Sequence, residues 1–162
     1  MSEQNQDKHQ QRQQKVKEKV DERIAAAQKE QGIFQVITGN GKGKSTSGFG
    51  TVARAVGHGM KAAVCQFIKG TWECGERNLL EKAGVEFVIM NTGFTWETQN
   101  KESDTAAAQV TWQEAKRMLK DESINLVMLD EITYMITYGY IDLDEVLEAV
   151  SSRPAMQSVI IT

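Results

Sequence analysis

Apolar positions change their period several times along this 162-residue chain. Within a run of Gln, Lys and Glu, the residues Val16, Val20, Ile24 and Ala27 recur every third or fourth place. That spacing predicts a helix from Lys15 with one narrow apolar stripe. Residues 1–30 contain no Gly or Pro, and Gly32 breaks the pattern. From there short apolar runs alternate with helical stretches. "IFQVIT" (33–38), "KAAVCQFIK" (61–69), "VEFVIM" (85–90), "INLVMLDEI" (124–132) and "QSVIIT" (157–162) read as buried strands. Helices are predicted over about 44–56, 76–82, 103–120 and 143–152, stopped by Gly57, Gly59 and Gly84 and before Pro154. In the helix over 103–120, Ala residues, Trp112 and Met118 fall on the inner side. Strands that are continuously apolar and separated by helices predict a parallel sheet covered on both faces. The organisation expected is a helical arm over 1–30 and one α/β domain over 31–162.

Composition narrows the class. The chain is 40% hydrophobic and 25% charged, as in ordinary globular domains. A net charge of −3 argues against a general nucleic-acid binder. No apolar run approaches the roughly 18 residues of a membrane span, and the polar N-terminus lacks the apolar core of a secretory signal. Cys65 and Cys74 form no C-x-x-C pair, so a cytoplasmic protein with reduced thiols is expected. His9 and His58 have no partner at metal-ligand or triad spacing. The arm itself admits two readings, a solvated helix or a segment that docks elsewhere.

The candidate chemistry begins at "ITGNGKGKST" (37–46), between a predicted strand and a predicted helix. The usual phosphate-binding loop is G-x-x-x-x-G-K-[ST]. Gly43, Lys44 and Ser45 match its end, but Thr38 stands where the first glycine belongs, and Gly39 comes one place later. Glycines allow positive φ and turn backbone N–H groups inward as an anion nest. The helix start adds donors and partial positive charge. Gly39, Asn40, Gly41, Lys42, Gly43, Lys44, Ser45 and Thr46 are thus nucleotide-binding candidates. Lys44 carries the charge for phosphate oxygens, and the Ser45 hydroxyl can reach Mg2+. A second signal is "LVMLDE", which runs an apolar strand into Asp130 and Glu131. The carboxyl edge of an open α/β sheet is where ligands sit and where a Mg2+-associated carboxylate belongs. Alternatively, Asp130 caps the next helix. A third is "TGFTWET" (92–98), with Phe94 and Trp96 two places apart. By residue type alone they are either core anchors or an aromatic pair facing one way.

Taken together, "TGNGKGKST", "RAVGHG", "QFIKGTWECGERNLL", "GVEF", "TGFTWETQN" and "LDEITYM" resemble the CobA/BtuR-type ATP:corrinoid adenosyltransferases. The resemblance covers most of residues 10–162, and "TGFTWETQN" is its most specific piece. It implies an α/β P-loop nucleotide-binding fold with a mainly parallel, helix-covered sheet and an N-terminal helical arm. It implies transfer of the 5′-deoxyadenosyl group of ATP to the Co(I) centre of a corrinoid such as cobalamin, with release of triphosphate. It implies that ATP is held reversed relative to ordinary phosphate-loop ATPases, with its triphosphate on Gly39–Ser45. Lys44 and Glu131 fall on catalytic positions. Ser45, Asp130 and Glu131 fall on the Mg2+ site, with Glu131 the direct ligand of the two carboxylates. Phe94 and Trp96 fall on aromatics that contact the corrinoid and displace its lower axial base. The resemblance further implies a homodimer, an arm over the partner subunit's site and a flavoprotein reductant. Family members carry a Gly/Arg-containing loop and a further segment beyond "VIIT" (159–162), so the C-terminal end reads as truncated relative to them. The competing expectations are a phosphate-loop ATPase or kinase and a non-catalytic, ATP-dependent corrinoid carrier.

Overall fold

A computed structural model of the chain describes residues 3–68, 73–90 and 101–162, with backbone alone for residues 3–6. The expected aromatic loop with Phe94 and Trp96 lies outside the described residues. The chain divides into two compact units, Met1–Glu30 and Gln31–Thr162. The first is one helix, α1 (Glu3–Ala26). It starts well before Lys15 because the Gln, Lys and Glu ahead of that residue are themselves good helix formers. Among the described residues, no helix is long and apolar enough to cross a membrane.

The second unit is an α/β sheet. Its strands are β1 (Phe34–Val36), β2 (Ala62–Gln66), β3 (Glu86–Ile89), β4 (Leu126–Asp130) and β5 (Ser158–Ile161). They lie in the order β1-β5-β4-β2-β3, and every pairing is parallel. Helices α2 (Lys44–Gly57), α3 (Gly75–Lys82), α4 (Lys101–Lys120), α5 (Ile132–Thr137) and α6 (Leu143–Ser151) connect them.

Alternation along the strands builds two cores. Ala63, Cys65, Val127, Leu129, Val159 and Ile161 face α4, α5 and α6, where Trp112, Met118, Met135 and Val146 are buried. Ala62, Val64, Leu126, Met128 and Ile160 face α2 and α3, with Phe49, Val52 and Leu80. Both faces are covered, as continuous apolar strands require.

Two expectations fail locally. The two edge strands are not buried: Ile33, Phe34 and Val36 are each about half exposed and β3 is only partly covered, because among the described residues β1 pairs with β5 alone and β3 with β2 alone. The fourth strand ends at Asp130, not at Ile132. Glu131 turns there into the left-handed region (φ 64°) and starts α5 directly.

Candidate functional site

The glycine-rich loop leaves β1 and enters α2. Gly39 and Gly43 have φ of 135° and 104°. A Cβ built on either would meet no atom within 4 Å, so the need for glycine is conformational and not spatial. Gly43 is the N-cap of α2 and has no side chain to accept a hydrogen bond from the helix start. The first turn of α2 contains no acidic residue. Its backbone donors therefore open onto the loop, as anion binding at a helix N-terminus needs. Lys44 folds back over the loop and donates from Nζ to the carbonyls of Gly39 and Gly41, at 2.8 Å each. Its ammonium charge is thereby fixed at the mouth of the nest.

A cleft of about 740 Å3 opens over this loop. All eight loop candidates line it: Gly39, Asn40, Gly41, Lys42, Gly43, Lys44, Ser45 and Thr46. Thr38, which replaces the expected first glycine, lines it too. Across from them stand Glu131, Thr133, Tyr134 and Thr162. Sheet order explains the meeting. β5 lies between β1 and β4, so the residue after β5, Thr162, separates the loop from the carboxylates at the end of β4.

Asp130 is in a different position from Glu131. It is fully buried behind the cleft wall. Oδ2 accepts from Gln66 Nε2 at 3.0 Å, and Oδ1 accepts from the Thr162 hydroxyl at 2.9 Å. Nor does it cap α5, whose N-cap is Glu131. Glu131 is half-buried and faces the cleft. The Ser45 hydroxyl and the Glu131 carboxylate are hard oxygen donors on opposite walls, a set that suits a Mg2+ shared with phosphate oxygens. Among the described residues, no group of three or more His, Cys, Asp and Glu side chains is placed to hold a metal by itself. A cation completed by phosphates fits that donor set.

Sequence reasoning missed four participants: Gln66, Thr133, Tyr134 and Thr162. Gln66 and Thr162 are polar residues that end apolar strands at the carboxyl edge, and that placement was their available signal. Tyr134 heads an aromatic series, with ring centroids 6.0 Å from Tyr138 and a further 5.6 Å on to Tyr140. It offers the cleft a flat apolar face.

The chain is similar to known proteins in sequence. Residues 30–162 match the family described as ATP:corrinoid adenosyltransferase BtuR/CobO/CobP. Residues 1–24 match the Cob(I)alamin adenosyltransferase N-terminal family. The chain is 64% identical to the corrinoid adenosyltransferase of Escherichia coli (strain K12) over 96% of its own length and 80% of that protein's. It is 62% identical to corrinoid adenosyltransferase CobA of Salmonella typhimurium (strain LT2), with the same two coverages. Against the corrinoid adenosyltransferase of Pseudomonas aeruginosa PAO1, identity is 46%, over 96% of this chain and 77% of the relative. A glycine loop, a helix start and a carboxylate converging on one cleft, within a match that runs from Glu30 to Thr162, place this chain in the ATP:corrinoid adenosyltransferase family.

Proposed function

We propose that this chain transfers the 5′-deoxyadenosyl group of ATP to the Co(I) centre of a corrinoid. The observation that carries the reading is the match over residues 30–162, which contains both walls of the cleft. The electron pair of Co(I) forms the cobalt–carbon bond at C5′. The C5′–O bond breaks, and its pair leaves with the triphosphate. Co(I) needs no activating base, which agrees with a cleft lined by hydroxyls, amides, one lysine pair and one carboxylate.

The protein's work is then alignment and charge. Holding cobalt, C5′ and the leaving oxygen in line contributes roughly 7–11 kcal/mol. Charge grows on the triphosphate as the bond breaks. Lys44, the Gly39–Gly43 amides and the start of α2 stabilise it from one side. Ser45 and Glu131 hold Mg2+ on the other, with Asp130 behind Glu131. Bound there, Mg2+ neutralises oxygen charge on the leaving group. Because bond breaking is at C5′, the loop holds a leaving group and has no need to present the γ-phosphorus for attack. Its displaced glycine is compatible with that task. Phe94 and Trp96 serve the corrinoid, a homodimer is the working assembly and a flavoprotein supplies the reducing equivalents.

The test is an anoxic reaction of protein, MgATP and chemically reduced cobalamin. The expected products are a light-sensitive alkylcobalamin spectrum and one triphosphate per adenosyl transferred. ADP or orthophosphate in its place would identify an ATPase or kinase. Tight ATP binding with no alkylcobalamin, even in a single turnover, would identify a carrier.

A further inference from the structure

Glu131 is the only non-glycine residue with positive φ among the described residues, at 64°. Such a backbone persists where its surroundings over-determine it, and it is enriched at working sites. The hydrogen bonds around it show what holds it. The Glu131 amide donates to Thr162 Oγ1 at 3.0 Å. The Thr162 hydroxyl in turn donates to Asp130 Oδ1 at 2.9 Å. Gln66 Nε2 donates to the other oxygen, Oδ2, at 3.0 Å. Thr133, two residues beyond Glu131, donates from Oγ1 to the Thr162 carbonyl at 3.1 Å. Thr162 thus takes part in three of these four bonds.

Strand order makes the arrangement possible. β4 runs between β2 and β5, and Gln66 stands opposite Asp130 in the β2–β4 register. Ile161, just before Thr162, stands opposite Leu129, just before Asp130, in the β4–β5 register. Each neighbouring strand therefore delivers one polar residue to the same carboxylate, and all three are at least 97% buried. A buried carboxylate in this setting is a strong and directional acceptor. Gln66 Oε1 is buried with no hydrogen-bond partner among the described residues. Its amide is thus oriented by Asp130 rather than by a second partner of its own.

We infer that Thr162 and Gln66 are positioning residues for the cation site. Asp130 is their buried anchor, and Thr162 transmits its position to the Glu131 backbone, so that the Glu131 carboxylate is presented to the nucleotide-bound divalent cation. The inference rests on the reading above that Glu131 and Ser45 hold that cation.

The test uses the full chain with Mn2+ in place of Mg2+. Free Mn2+ is followed by electron paramagnetic resonance in the presence of ATP, and metal-free ATP affinity is measured by calorimetry in EDTA. Thr162→Val keeps the shape and removes the hydroxyl. It is expected to weaken Mn2+ binding to the protein–ATP complex about tenfold, while metal-free ATP affinity stays within about twofold. Thr162→Ser should restore Mn2+ affinity. Gln66→Met, acting on the other carboxylate oxygen, should weaken it in the same direction. Unchanged Mn2+ affinity in both Thr162→Val and Gln66→Met overturns the inference. So does a Thr162→Ser protein as impaired as Thr162→Val, since the methyl group would then be what matters. Glu131→Gln, run in parallel, separates the two levels. If it weakens Mn2+ binding and the other variants do not, the positioning role alone falls. If it too leaves Mn2+ binding unchanged, the cation reading falls, and this inference with it.

Discussion

Gly43 sits where the loop becomes helix, at φ 104° and ψ −6°. L side chains are strained there. A methyl group at this position meets nothing within 4 Å, so Gly43→Ala isolates the backbone term from any clash. The expected cost is about 1 kcal/mol of stability, read by urea denaturation. If the nest relaxes to relieve that strain, ATP affinity falls with it. A variant as stable as the parent would mean that the loop adjusts freely. The residue type at Gly43 was legible in the sequence because the loop is contiguous and its physics is local. Asp130 and Glu131 were legible from the residues as a pair, and only the family resemblance set Glu131 apart as the direct ligand. Their division depends on which strands flank β4, and that is a non-local fact. Gln66 and Thr162 were visible only as polar ends of apolar strands for the same reason. Phe94 and Trp96 were singled out from the sequence, and their loop lies outside the described residues.

Among the described residues, an ion pair joins α4 to α6. Lys116 Nζ on α4 donates to Glu145 Oε1 on α6 at 2.5 Å, with the side chains 23% and 38% exposed. The hydrogen bond from Lys116 holds the Glu145 carboxyl below its ordinary value of 4.5, against an opposing effect of burial. Partial exposure discounts the pair to about 0.5–1 kcal/mol. A depressed carboxylate contributes stability above its unfolded pKa and loses it as pH falls through the folded one. Glu145→Gln is therefore expected to destabilise the fold by about 0.5 kcal/mol at neutral pH. That difference should shrink as pH falls below 4.5, and denaturant midpoints across the acid range measure it. At this scale the helices α2, α3, α4 and α6 were readable, because each spans enough turns for an apolar period to show. The short α5 was not. Six residues carry too little periodicity, and its start is set by the backbone of Glu131 and not by a capping side chain. α6 shows the contrast: Asp142 caps it, accepting from the amides of Asp144 and Glu145 at 2.9 and 3.1 Å.

The sheet's parallel, two-faced character followed from continuous apolar strands, whereas its order did not, because nothing local says that β5 inserts between β1 and β4. Order matters most for stability as well as for the cleft. Among the described residues, both buried clusters draw their members from Phe49 to Ile161, and neither includes a residue of the first unit. In α1 the stripe residues Val16, Val20 and Ile24 are about half exposed or more. A single helix of this kind gains little from propensity alone, since nucleation is costly and isolated helices are marginal in water. Stability of the sheet unit should then be independent of the arm. A chain of residues 31–162 is expected to fold with a melting midpoint within about 3 °C of the parent, a shift corresponding to less than about 1 kcal/mol. It should unfold in one cooperative step, with the tryptophan signal of buried Trp112 intact before the transition. A peptide of residues 1–30 alone should show markedly less helix by circular dichroism than its 24-residue span predicts. A truncated chain that melts many degrees lower, or without cooperativity, would show that the arm contributes to the folding of the sheet and that the two units are not energetically separate.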